Sequence, residues 1–79
     1  MTEHSKFEAI KHAIDGAPRN EYIAELHLQI IKYSDSLQSM TGKEFCEALG
    51  IGPSFGTEFS KMKKIAGRLK KAGLQVEKI

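Results

Sequence analysis

Apolar residues recur along most of this chain at intervals of three and four, the spacing that lines one face of an α-helix. Across residues 5–15, Phe7, Ile10, Ala13 and Ile14 share a stripe. Ser5 is the expected cap, Glu8 follows three residues later, and Gly16, Ala17 and Pro18 end the pattern. Asn20 is the expected cap of a second helix, whose Tyr22, Ile23, Leu26, Ile30, Tyr33 and Leu37 form one apolar face. Ala24, Leu28 and Ile31 form another patch well away from it, so this helix is apolar on two sides, more than one layer of packing requires. It is predicted to be either the central helix or a dimer interface. Ser34, Asp35, Ser36, Gln38 and Ser39 weaken its end.

The stretch 41–73 divides into a short helix, a glycine-rich turn and a long basic helix. Thr41 and Glu44 have capping-box spacing, in which the Thr hydroxyl accepts from an amide and the Glu reaches back to the amide of the cap. Phe45, Ala48 and Leu49 make the apolar stripe, and Gly50 stands where a helix ends in the left-handed conformation. Ile51 offers one anchor before Gly52, Pro53 and Ser54, a breaker cluster that also suits a new helix, since proline lacks only an amide that the first turn leaves unpaired. With 54–72 wound at about 100° per residue, Phe55, Phe59, Met62, Ile65, Ala66 and Leu69 form a predicted core face. Ser54, Thr57, Lys61, Lys64, Arg68 and Lys71 form a second stripe, hydroxylic at its amino end and cationic beyond, which must face solvent or a partner. After Gly73, Leu74 and Val76 alternate with polar residues, the pattern of a short strand or of a tail packed on the core. The expected fold is all-α: one domain over residues 1–79, with four main helices and that strand or tail.

Size and charge sharpen this picture. A single core in 79 residues supplies only about 3–5 kcal/mol, so dimerisation would add stability. No apolar run approaches the roughly 18 residues needed to cross a bilayer, which excludes a membrane protein. Charged residues separate Phe7, Ile10 and Ile14, so no secretory signal is expected and the cytoplasm is the expected location. The lone Cys46 falls among core positions, where a reduced thiol acts as a small hydrophobe. The net charge of +2 conceals a partition: residues 1–50 carry five Lys and Arg against eight carboxylates, net −3, and residues 51–79 carry seven against two, net +5. That asymmetry points to an anionic partner for the carboxyl half, most simply a phosphate backbone.

FCEALGIG, residues 45–52, resembles the first helix and turn of prokaryotic helix-turn-helix DNA-binding proteins. Cys46 matches the small mid-helix residue, Leu49 the apolar residue before the turn glycine Gly50, and Ile51 the apolar residue after it. One departure stands out: Gly56 occupies a position usually apolar in the recognition helix, with Phe55 and Phe59 on either side. Two starts for that helix stay open, near Pro53 or, after a turn about three residues longer, at Thr57. The resemblance implies a double-stranded DNA partner and a small transcriptional regulator, with the second helix in the major groove and its amino end near base edges. Hydroxyls and a lysine donate to bases, making Ser54, Thr57 and Lys61 the base-edge candidates. Lys64, Arg68 and Lys71 are the phosphate candidates, although Lys70 and Lys71 equally suit a helix carboxyl end, where cations complement the dipole. Such units usually read DNA as dimers, and the two-sided second helix suggests a homodimer through Tyr22, Leu28 and Ile31.

Other classes fit less well. His4, His12 and His27 place no two on one helix turn and Cys46 has no ligand companion nearby, so neither a metal centre nor a catalytic site is expected, and no cofactor is implied. GIGPSFG lacks the preceding strand and the lysine spacing of a phosphate-cradling loop. The main alternative is a helical module that binds an acidic protein surface without binding DNA; an anionic membrane surface ranks third, because Met62 and Ile65 are better used as core. A regulatory protein partner is compatible with either leading reading.

Overall fold

The computed structural model describes residues 3–79. The described residues form four α-helices: α1 (Glu3–Gly16), α2 (Tyr22–Lys32), α3 (Gly42–Leu49) and α4 (Gly56–Lys71). Short 3-10 turns cover Arg19–Glu21, Pro53–Phe55 and Val76–Lys78, and no strand occurs among the described residues. The predicted stripes converge on one core built from Ile10 and Ile14 of α1, Leu26 and Ile30 of α2, Leu37 of the segment between α2 and α3, Phe45 and Leu49 of α3, and Phe59 of α4. The rings of Phe45 and Phe59 stack with centroids 4.5 Å apart, locking α3 onto α4. Lys6, itself buried, sends its ammonium to the Ser36 carbonyl at 3.2 Å and so ties α1 to the segment after α2.

Thr41 and Glu44 form the expected capping box: the Glu44 amide donates to Thr41 Oγ1 at 3.2 Å and the Thr41 amide donates to Glu44 Oε1 at 2.9 Å. At the other end Gly50 adopts φ 71°, which lets the Ile51 amide donate to the Cys46 carbonyl at 3.0 Å and closes α3.

Several boundaries differ from the sequence pattern. Ser5 is not a cap, because α1 already includes it. Asn20 does not cap α2: Pro18 feeds straight into a 3-10 turn closed by the Glu21 amide on the Pro18 carbonyl at 2.8 Å, and α2 begins only at Tyr22. Leu37 is fully buried but lies beyond α2, in a run of tight turns where its amide is shared between the Tyr33 and Ser34 carbonyls. The tail is a 3-10 turn packed against α2 rather than a strand. Ile65 and Leu69 are 43% and 36% exposed, not core. Ile65 is rotated about 100° from the buried Ala66, and Leu69 lies one position short of a full turn beyond Ala66, the last buried position of α4.

The unexpected glycine, Gly56, sits at a close helix contact that constrains its neighbour Gly42 rather than itself. A Cβ on Gly42 would stand 2.8 Å from both the Cα and the carbonyl oxygen of Gly56, so the amino ends of α3 and α4 meet backbone to backbone. The contact is asymmetric, since a Cβ on Gly56 would lie 3.5 Å from the nearest Gly42 atom, an ordinary distance. Gly42→Ala is therefore expected to cost about 1–3 kcal/mol through overpacking against rigid backbone, lowering Tm by roughly 10 °C, whereas Gly56→Ala should lie within about 0.5 kcal/mol of the parent. Thermal unfolding of the two variants checks this ordering.

Candidate nucleic-acid interface

The geometry of the interface follows from α3 and α4. Residues 50–52 turn the chain between them, and Gly52 is extended at φ −63°, ψ 144° before Pro53–Phe55 winds as a 3-10 turn into α4. Regular α-geometry begins at Gly56, between the two starts that the sequence leaves open. Right-handed winding thus begins at Pro53, as one alternative requires, while Ser54 and Phe55 stay outside the α-helix, as the other requires. Phe55 packs its ring against Tyr22, centroids 6.0 Å apart, which fixes the entry to α4 against α2.

Ser54, Thr57, Lys61, Lys64, Arg68 and Lys71 are all exposed. They form one outward line on α4 and the turn leading into it. The remaining lysines of α4 serve the fold. Lys63 donates to the Gln38 and Met40 carbonyls at 3.3 and 3.1 Å and lies 4.7 Å over the Phe59 ring. Lys70 binds Asp35 at 2.6 Å. By contrast, Lys64, Arg68 and Lys71 make no hydrogen bond or ion pair with any described residue.

Lys61 meets Glu58 at 3.7 Å with its side chain 62% exposed, a loose pair that a stronger ligand displaces easily. Glu58 is held on its other oxygen by His27, whose Nε2–H donates at 2.7 Å, because an ionised carboxylate only accepts. That hydrogen bond, aided by the charges of Lys61 and His27, holds the Glu58 carboxyl below its ordinary range. Glu58 therefore stays ionised at neutral pH, where it bridges α2 to the first turn of α4 and complements the helix dipole.

Gly67 is absent from the residues that the stripe pattern nominates, yet it lies among them. It floors an open hollow of about 670 Å³ lined by Lys64, Arg68, Lys71 and Ala72, and a Cβ there would meet nothing within 4 Å. A mid-helix glycine costs about 1 kcal/mol relative to alanine, and here no packing requires it. The available sequence signal is a glycine inside the cationic stripe itself.

The dimer candidates separate. Tyr22 is half-buried beneath Phe55 and Ile31 is buried within the chain, whereas Leu28 is 44% exposed and Ile23, at 41%, is a second exposed apolar side chain on α2. Cys46 is buried in α3, and burial pushes its thiol up, so it is protonated at neutral pH. No cluster of metal-ligating side chains occurs among the described residues, and no helix is long and apolar enough to cross a membrane.

Residues 2–72 match the HTH-like domain family. The chain belongs to that family. The helix-turn-helix reading of FCEALGIG holds, and the match extends it: the HTH-like domain begins before α1 and ends after α4, so α1 and α2 are part of the shared unit. Membership suggests DNA binding in general terms. No curated protein and no solved structure matches the chain.

Proposed function

We propose that this HTH-like domain binds double-stranded DNA with sequence preference and acts as a small transcriptional regulator. The supporting observation is the set of cations Lys64, Arg68 and Lys71, unpaired among the described residues and aligned with the exposed hydroxyls of Ser54 and Thr57 on one outward face of α4. The major groove, about 12 Å wide, admits an α-helix. In this reading Ser54, Thr57 and Lys61, at the amino end, reach base edges, and Lys64, Arg68 and Lys71 hold phosphates and set the register.

Three phosphate contacts give a slope of about −2.7 in log K against log salt, roughly a 40-fold loss of affinity between 50 and 200 mM. Fluorescence anisotropy of a labelled duplex measures it; affinity independent of salt would reject the phosphate contacts. The domain further acts as a homodimer through the side of α2 that carries Ala24 and Leu28, both exposed, where Leu28 leaves apolar surface uncovered. Light scattering at micromolar concentration is expected to report a dimer that Leu28→Lys dissociates; a monomer in both would remove this part of the reading.

A second reading rests on Ile65 and Leu69, exposed apolar side chains at the edge of the cationic stripe that a phosphate backbone would not use. They suit an acidic protein surface with an apolar centre. Under that reading duplex affinity is absent at 50 mM salt.

A further inference from the structure

We infer that the hollow over Gly67 seats one backbone phosphate of the duplex, an inference that rests on the DNA-binding reading. Gly67 is exposed on α4, and the space its side chain would fill is open. Nothing inside the protein explains the glycine, so its intramolecular contacts leave it free to be any better helix former. What surrounds the gap is specific: Lys64 one turn before, Arg68 beside it and Lys71 one turn after line the same hollow, and none of the three has a partner among the described residues. A phosphodiester oxygen lowered into this gap comes nearest Arg68, while Lys64 and Lys71 at its two ends reach the phosphates on either side, and the attraction between unit charges grows as their separation shrinks. The backbone amides of this turn are spent within the helix, so the side chains supply all the donors. Any side chain at position 67 would raise the phosphate out of the gap.

Stability and binding are therefore expected to move in opposite directions. Gly67→Ala and Gly67→Gln should each raise Tm, by roughly 4–8 °C for alanine, because each replaces an exposed mid-helix glycine. Loss of one phosphate contact should weaken duplex binding by about 8-fold at 0.1 M salt in the glutamine variant, with alanine between it and the parent, and should flatten the salt slope by about 0.9. The test is anisotropy with one fixed duplex, run beside thermal unfolding. If the parent binds and Gly67→Gln binds equally tightly, the phosphate seat is overturned while the DNA-binding reading stands. If the parent does not bind, both fall. A lower Tm in the variants would mean that packing holds Gly67, and would overturn the seat as well.

Discussion

Alanine at both Lys64 and Arg68 is expected to weaken duplex binding by about 60-fold at 0.1 M salt and to flatten the salt slope by about 1.8. Each contact to a phosphate releases close to one condensed counterion, and two are lost together. The effect should be the same on every duplex, because phosphates carry no sequence information. Stability should hardly change, since both side chains are exposed and neither has a partner among the described residues. Lys63 and Lys70 provide the internal control: they carry the same charge on the same helix but are tied to the Gln38 and Met40 carbonyls and to Asp35. Their alanine variants should change unfolding more than binding. Thr57 and Lys61 variants should instead alter preference between duplexes. Unchanged binding of the Lys64/Arg68 double variant, by anisotropy across several duplexes, would sink the phosphate assignment.

Phe59→Ala is expected to unfold the protein. Phe59 is 1% exposed, stacks on Phe45 and carries the Lys63 ammonium over its ring, so it joins α4 to α3 and to the segment before α3. Truncating a buried Phe costs about 3–5 kcal/mol, and a chain of this size holds only about 3–5 kcal/mol in total. Circular dichroism at 25 °C should show most of the helical signal lost, while Phe59→Leu, which keeps most of the volume, should retain a cooperative transition at lower urea. A cooperative transition in Phe59→Ala near the parent midpoint would show that the core does not depend on this stack.

Much of this fold is legible in the sequence because local rules and core packing agree. Thr41, Glu44 and Gly50 delimit α3 through side-chain and backbone chemistry that acts within one or two turns, and the structure keeps them in those roles. The less legible places are those where distant contacts decide. Gly42 reads as an ordinary first-turn residue of α3 until Gly56, far away in sequence, is seen pressed against it. Ile65 and Leu69 satisfy the helical period of a core face, but the period does not say where along α4 the core stops. The six stripe residues were legible as one exposed line. Which cations in the carboxyl half are committed to the fold was not, because the partners of Lys63 and Lys70 lie more than twenty residues away. Gly67 is the converse case, a residue whose meaning comes from having no neighbour.

The most direct measurement of the central claim, that the outer face of α4 is the DNA-binding surface, is a titration of isotopically labelled protein with a duplex, followed by backbone amide and side-chain NMR shifts at low salt. The predicted result is a set of perturbations running along Ser54, Thr57, Lys61, Lys64, Arg68 and Lys71, fading on the core side of α4 and reversed by added salt. Perturbations centred on α1 or on Ile23 and Leu28, with the α4 stripe unmoved, would contradict it.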